Sequence, residues 1–472
     1  MRHCLLILLT SFCLATTAPA QDVFPLRISE NSRHLTDANG KPFPIMGRTA
    51  WCVLSLPVND YTKFIENTLS HGFRAIEISA MPHWLMGNNA PFNGRGEVPF
   101  LKQLNGETWK GSLKYKDTLA EAPDFTTPNE AYWQYVDSFL NYCHDKQLLV
   151  LMFPAYVGFE GGDQGWGQEL VANGPDRVKQ YGAWIADRYK NQKNLVWMLL
   201  GDQGKFKPKE IEAQAALIAG LKSVEGQQSM LYTAESMSGQ NARDQPEFGH
   251  EMNINGVYTW DSVGVPTLGR RAYSQEPVMP SFLLEEPYDE EGPDGNNYNP
   301  HATQPVRRFA WWGWLTTIGG YVAGNGFIWA FKPGWEDHLN TQTVQDQARL
   351  NTFMQSIEWW KLVPSGLDGT IPVIVKGEGK DSLNNFVAAA ADKEGTMLVA
   401  YLPPKHEGTI TLDLSNLKGN ITAQWFDPTS GKFTRAKGAS ISNKKTRAFR
   451  VPGKNSKGEN DWVLYITAKP AG

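Results

Sequence analysis

The sequence predicts an α/β protein: a (β/α)8 TIM barrel followed by a C-terminal all-β sandwich domain. Three features lead there. From about residue 40 to 360, short apolar runs alternate with amphipathic stretches. The segments that follow the apolar runs are long. After about residue 365 the texture changes to short alternating runs separated by Gly, Asn, Asp and Lys. A chain of 472 residues also exceeds what one ordinary core accommodates, so two domains are expected.

The first twenty residues read as a signal peptide. Arg2 and His3 form a short polar start, Cys4 to Leu14 an apolar core, and Ala18-Pro19-Ala20 a small-residue cleavage site. Export to the periplasm or the outside follows as an expectation. The barrel is then expected over 21–364 and the sandwich over 365–472. Strands are predicted at Pro44–Gly47, Arg74–Ser79, Leu148–Phe153, Leu195–Leu200, Met230–Thr233, Ile254–Thr259, Ser281–Leu284 and Gly326–Ala330. Helices are predicted at Tyr61–Ser70, Glu130–Lys146, Asp176–Tyr189, Lys209–Leu221, Pro305–Thr317 and Thr343–Leu362. A doubly wound open sheet is the alternative. It usually shows a Gly-rich phosphate loop after its first strand, and none is present. In the C-terminal part, runs at Thr370–Val375, Asn385–Ala391, Thr396–Leu402, Thr409–Leu414, Thr422–Phe426 and Trp462–Ile466 read as strands.

Composition narrows the function. A formal charge of −4 with no basic stripe argues against a nucleic-acid or anionic-membrane partner. No later apolar run is long enough to span a membrane. Seventeen tryptophans suit a carbohydrate partner, because an indole can cover the apolar face of a sugar; a large aromatic core explains them equally well. Cys52 and Cys143 are the cysteines that remain after the leader, and they read as two buried thiols. There is no G-x-S-x-G, no H-E-x-x-H, no zinc-type Cys/His spacing and no phosphate or calcium loop, so no cofactor or metal is expected. Carboxylates are left as the chemical candidates.

Two of them end apolar runs. Asp202 follows Leu195–Leu200 and Gly201, and Glu285 follows Ser281–Leu284. Glycosidic cleavage needs one carboxylic acid to protonate the leaving oxygen and a second carboxylate to attack carbon or activate water. Barrel strand tips hold such groups at fixed separation. Asp after Gly also serves as a turn former or N-cap, and Glu285 beside Glu286 reads equally as surface charge.

Several motifs resemble the apiosidase-like glycoside hydrolase family, a TIM barrel joined to a module labelled collagen-binding. Asn194-Leu195-Val196-Trp197 through Gly201-Asp202 resembles its "N-V-I-W…G-G-D" strand. Glu285-Glu286-Pro287-Tyr288-Asp289 resembles "E-x-x-Y-E", and Gly47-Arg48-Thr49-Ala50-Trp51 resembles "G-D-T-A-W". Arg307-Arg308 through Trp312, Gly319-Gly320-Tyr321 and Gly326–Trp329 resemble its last helix and strand, and Trp425–Gly431 resembles "W-Y-D-P-R-T-G". The resemblance implies glycoside hydrolysis with Asp202 as acid/base and Glu285 as nucleophile, on strands four and seven. Asp202 is then expected to sit against apolar walls such as Trp197 or Tyr258, which would keep it protonated. Two positions depart from the pattern. Arg48 stands where the family commonly has Asp, and Ala234-Glu235 where it often shows "T-x-H". Arg48 then reads either as a fork for an anionic sugar or as a structural partner of a neighbour such as Glu77. The remaining candidate sugar contacts are Trp51, Glu77, His83, Trp84, Glu235, Tyr258, Trp260, Tyr288 and Trp329. Trp311, Trp312 and Trp314 read as core, and Arg307/Arg308 as a structural clamp. The collagen label suggests an adhesin, but nothing in that module supplies a mechanism for one.

Overall fold

The computed structural model describes residues 22–83, 86, 87, 89–111, 119–161, 164–226, 230–261, 263–285, 287–291, 303–437 and 446–469. The leader at 1–20 and Trp84 lie outside the described residues. Eight parallel strands make up the barrel: β1 (Ile45–Thr49), β2 (Ala75–Ser79), β3 (Leu149–Phe153), β4 (Leu195–Leu200), β5 (Tyr232–Glu235), β6 (Asn255–Tyr258), β7 (Ser281–Leu283) and β8 (Gly320–Ala323). β1 to β5 pair in succession, β6 pairs with β7 and β7 with β8, and β8 pairs back onto β1. The seam lies between β5 and β6, where the amides of Asn253 and Ile254 donate to the Tyr232 carbonyl at 3.1 and 3.0 Å. A two-residue strand, Gln240–Asn241, lies antiparallel on β6. Every residue of β1 to β7 is buried. Strands covered on both faces read as continuous apolar runs, which is why Leu195–Leu200 and Leu149–Phe153 were legible.

Seven helices surround the ring: α1 (Val58–Ser70), α2 (Glu130–Asp145), α3 (Gly167–Tyr189), α4 (Pro208–Lys222), α5 (Val265–Ser274), α6 (Thr303–Thr317) and α7 (Gln342–Gln355). Local chemistry sets their ends. Asn129 Oδ1 accepts from Ala131 N at the start of α2, and Thr341 Oγ1 from Val344 N at the start of α7. Pro208 opens α4, and Glu210 accepts from the Lys207 amide in a capping box. Short 3-10 turns at Ala242–Asp244 and Gly249–Glu251 occupy the connection from β5 to β6.

Strands β1 and β5 lie one to two residues later than predicted, and four elements differ more widely. Helix α3 begins nine residues before the predicted Asp176, and a kink at Gly174 (φ 73°) and Pro175 joins its two halves; the Gly-Pro pair reads as a boundary in sequence. Helix α5 was not predicted, although its buried Val265, Leu268, Ala272 and Tyr273 lie at helical spacing; it is only ten residues long and opens on Val265-Pro266. Helix α7 stops at Gln355 rather than Leu362. The last barrel strand is Gly320–Ala323, not Gly326–Ala330, which forms turns beyond the strand. Its entry is tight. A Cβ at Gly319 would lie 1.9 Å from the Ser281 carbonyl oxygen, and Gly320, at φ +116°, has the Ile45 carbonyl oxygen at the same distance. Only glycine lets the chain slip between β7 and β1 there, and a glycine pair looks like a breaker in sequence.

The C-terminal part is two antiparallel sheets. Strands β9 (Leu362–Pro364), β10 (Ile374–Lys376), β11 (Ala388–Asp392), β12 (Met397–Leu402), β13 (Thr409–Asp413), β14 (Asn420–Phe426), β15 (Phe433–Arg435), β16 (Thr446–Arg450) and β17 (Trp462–Lys469) follow in order. One sheet runs β9-β11-β12-β17-β14-β15, the other β10-β13-β16. Leu362–Pro364 pairs with β11, so this sheet starts slightly before residue 365. Ile410, Leu412, Leu398, Ala400, Leu464 and Ile466 fill the space between the sheets. Cys52 and Cys143 are buried free thiols.

Helix α6 joins the two parts. Trp311, Trp312 and Trp314 are buried, Trp311 stacks on Tyr401 of β12 at 5.7 Å and 7°, and Trp312 Nε1 donates to the Phe386 carbonyl at 2.9 Å. Arg307 is the clamp. Its Nε and Nη2 bind both oxygens of Asp461 at 2.8 and 3.0 Å, Nη1 binds Asp346 at 2.5 Å, and Glu459 caps Nη2. Removing one partner of such a buried network strands the others. Arg307→Met is therefore expected to cost about 3–5 kcal/mol in urea unfolding. A loss under about 1 kcal/mol would mean that apolar packing alone docks the sandwich.

Candidate active site

Alternation along β1 and β2 sorts the polar side chains at the barrel's centre. Thr49 and Glu77 face each other in register, and Thr49 Oγ1 donates to Glu77 Oε2 at 3.1 Å. Arg48, one residue earlier, points the other way. Its guanidinium lies 5.3 Å from the Phe64 ring centre and 5.8 Å from that of Phe73, and Nη1 donates to Asn67 at 3.0 Å. Arg48 thus sits in the layer between barrel and helices, and not against Glu77. Burial lowers its pKa to about 10, with Asp289 and Tyr321 opposing the shift. Asp289 is itself pinned by Thr341 and Thr343 hydroxyls, both at 2.7 Å, and burial pushes it up to about 6.

Glu77 has two acidic neighbours. One oxygen each from Glu77, Glu235 and Glu285 lies within 4.8 Å of the others, and all three residues are buried. Glu235 closes β5, in register with Leu200 of β4, and Glu285 lies two residues beyond β7. The charged form of Glu285 has two named donors. Trp51 Nε1 donates to its Oε1 at 2.7 Å, and the Tyr288 hydroxyl donates to the same oxygen. Glu77 has only Thr49 on Oε2, and its Oε1 has no hydrogen-bond partner among the described residues. Two unit charges about 5 Å apart repel by about 3 kcal/mol at an effective dielectric near 20. Burial accordingly drives Glu77 up to about 8, against the Thr49 hydrogen bond.

Tyr156, three residues past β3, sits among these groups. Its buried hydroxyl is held well above the usual phenol range, first by burial and then by Glu235, Asp202, Glu285 and Glu77. Its ring meets Trp51 edge-on at 4.6 Å, and Trp51 stacks on Phe153 at 4.7 Å. The structure therefore places Asp202 and Glu285 at the same end of the barrel, each near enough to act on Tyr156. Both carry left-handed backbone, at φ +48° and +62°, as does Leu200 at +65°. Such positions cost roughly 1–3 kcal/mol each outside glycine and cluster where function fixes the geometry. Beneath Asp202, a Cβ on Gly201 would meet Tyr156 at 2.2 Å. Tyr156 is thus a wall beside Asp202, while Trp197 is buried within β4.

The other predicted contacts spread around the same end of the barrel. His83 is buried against Trp166, with Nε2 3.5 Å from Glu169 of α3. Tyr258 ends β6, and its hydroxyl accepts from Trp260 Nε1 at 2.8 Å. Trp329 lies beyond β8; its carbonyl accepts from Cys52 N at 3.2 Å, and Lys332 Nζ lies over its ring at 5.4 Å. Tyr156, Thr49 and Phe153 were not predicted. Their signal was position alone, at or just past strand ends on the catalytic face. The pH dependence of stability reads the state of Glu77. An unfolded Glu titrates near 4.5, and folded Glu77 near 8. Folding therefore holds a proton that the unfolded chain releases, and its cost grows as pH rises between those values. The stability of Glu77→Gln relative to the native chain should rise from pH 5 to pH 8 in urea titrations. A pH-independent difference would place the proton elsewhere.

Comparison with known proteins agrees with this architecture. The family model "Apiosidase-like, catalytic domain" matches residues 29–361, and "Putative collagen-binding domain of a collagenase" matches residues 372–467. A search of curated proteins found no match. Among solved structures, one titled "Glycoside hydrolase" superposes with TM-score 0.74 at 20% identity, covering 94% of this chain and 97% of its own. A glycoside hydrolase family 5 structure from Bacteroides vulgatus gives TM-score 0.73 at 17% identity, covering 95% of each chain. At those identities the likeness is one of fold. With the family model spanning the whole barrel, the chain belongs to the apiosidase-like family of glycosidases.

Proposed function

We propose that the protein is an exported enzyme that cleaves a glycosidic bond in plant or algal polysaccharide, or in oligosaccharides released from it, by a retaining two-carboxylate mechanism. Asp202 is the acid/base and Glu285 the nucleophile. The observation that carries this reading is their convergence: two buried carboxylates in left-handed backbone past the tips of β4 and β7, both close enough to act on Tyr156. The leader-like first twenty residues support the compartment.

The chemistry follows from these positions. Asp202 gives its proton to the leaving oxygen as Glu285 attacks the anomeric carbon, and a glycosyl ester forms. Asp202 then takes a proton from water, which cleaves that ester and returns both groups to their starting states. Trp51 and Tyr288 fix the plane of the Glu285 carboxylate through Oε1 and favour its ionised form. A neutral Glu77 keeps a further charge away from the nucleophile, so Glu285 is not forced to share its proton.

A panel of aryl glycosides, an apioside among them, together with plant-wall oligosaccharides, tests this. Asp202→Asn should lower kcat/KM on oligosaccharides by about 10²–10⁴-fold, with a smaller loss on activated aryl glycosides. Glu285→Gln should abolish turnover while calorimetry still detects sugar binding. Unchanged turnover in both variants removes the assignment, and a first-formed product of inverted anomeric configuration by proton NMR removes the retaining step. Trp51→Phe keeps the ring but deletes the donor to Glu285, and a loss of roughly tenfold to a hundredfold in kcat is expected. An unchanged kcat would show that the Trp51 donor is not needed to orient Glu285.

A further inference from the structure

The mouth has two sides of different character. On the β1, β7 and β8 side, buried Trp51 and Tyr288 hold Glu285. On the β4 and β5 side, large apolar rings face solvent: Trp260 is 45% exposed and Phe159 is 38% exposed. They come from loops after β6 and β3, yet their ring centres are 5.3 Å apart with 36° between planes. The loop of Phe159 rests on the Asp202 loop, since Val157 N donates to the Leu200 carbonyl at 3.1 Å and a Cβ on Gly161 would lie 3.0 Å from Gln203 Nε2. The loop of Trp260 rests on the one after β5, where Ser238 Oγ accepts from Trp260 N at 2.9 Å. The two rings therefore meet above the strand tips that carry Asp202 and Glu235.

Trp260 is held rigidly. Its amide is bonded to Ser238 and its indole N–H to the Tyr258 hydroxyl, and the indole meets the Tyr258 ring edge-on at 6.5 Å. Phe159 brings no polar atom at all. Two exposed aromatic rings that meet over the β4 and β5 side of the mouth match the C–H face of a sugar ring better than any charged or extended partner. Which sugar follows from the chemistry. The group that protonates the leaving oxygen lies on the leaving group's side of the bond, and the nucleophile lies beneath the sugar that becomes the ester.

We propose that Phe159 and Trp260 form the subsite for the leaving group, taking the sugar ring that departs when Asp202 protonates the bond. The proposal rests on the two-carboxylate reading and adds an address for the half of the substrate that reading leaves unplaced.

Comparing two substrates of one glycosyl group tests it: the panel oligosaccharide turned over fastest, and the glycosyl fluoride of its terminal sugar, whose leaving group is an ion too small to reach the rings. The readout is the ratio of kcat/KM for oligosaccharide to that for fluoride. For Trp260→Ala and, separately, Phe159→Ala, that ratio should fall about tenfold, the worth of the apolar ring face each variant uncovers. Taking the ratio cancels any general loss of folded enzyme, and circular dichroism melts of both variants check the fold. A ratio unchanged in both variants overturns the subsite. Failure of the catalytic reading gives a different pattern, because Glu285→Gln would then keep native turnover of the fluoride.

Discussion

Three carboxylates within 4.8 Å of one another, inside a barrel otherwise walled by apolar side chains, are the constraint from which the site's other features follow. Burial penalises each charge, and proximity penalises each pair of charges. The arrangement persists because its members are held differently. Glu285 has an indole and a phenol donor, whereas Glu77 has one threonine hydroxyl and full burial. Donors to its carboxylate favour the ionised form of Glu285, while burial raises Glu77 and favours its neutral form, which is how environment usually divides roles among neighbouring acids. Tyr156 cannot ionise in that field, so it stays a neutral wall at physiological pH. An apolar trio of similar volume would pack at lower cost. Together with three left-handed residues at the tips of β4 and β7, the carboxylates represent stability given up at one end of the barrel.

The sequence carried more of the strands than of what lies between them. Leu195–Leu200 was legible because a parallel strand covered on both faces shows an unbroken apolar run. Asp202 and Glu285 were legible as strand-end acids, with the resemblance to a known family adding their roles. Gly320–Ala323 was hidden, because its Gly-Gly entry exists to clear the backbones of β7 and β1, a tertiary demand that local pattern does not express. Arg48 went astray for a related reason. Its two readings, a fork for an anionic sugar or a partner of Glu77, came from its place where the family commonly has Asp, and neither took account of which way the strand Ile45–Thr49 turns it. Within the strand, pleating sends it outward to Phe64 and Asn67. Tyr156 and Phe159 were invisible, since their importance depends on which loops meet across the mouth.

The two candidate halves of the mouth also differ in how they are built. The side that holds Glu285 is buried and hydrogen-bonded, with Trp51 stacked on Phe153 and edge-on to Tyr156. The opposite side is assembled from loops, and its aromatic faces are open. A buried socket on strand tips beside an open rim on loops is the usual division between scaffold and loops in this fold.

The sandwich has a mechanical connection to this socket through α6. One part of that helix carries Arg307, Trp311 and Trp312, which bind Asp461, Tyr401 and Phe386 of the C-terminal part. Gly313 on the same helix packs so closely on β7 that a Cβ there would stand 2.6 Å from Leu283 Cβ. Leu283 is the last residue of β7, and Glu285 follows two residues later. The helix is thus pressed between the sandwich and the strand that aims Glu285. Close-packed interiors transmit displacement with little give, so the position of the C-terminal domain bears on Glu285 through one helix turn and one leucine. A binding role for that domain is not needed to explain why it is joined to the barrel: bracing the seventh strand is a sufficient physical reason.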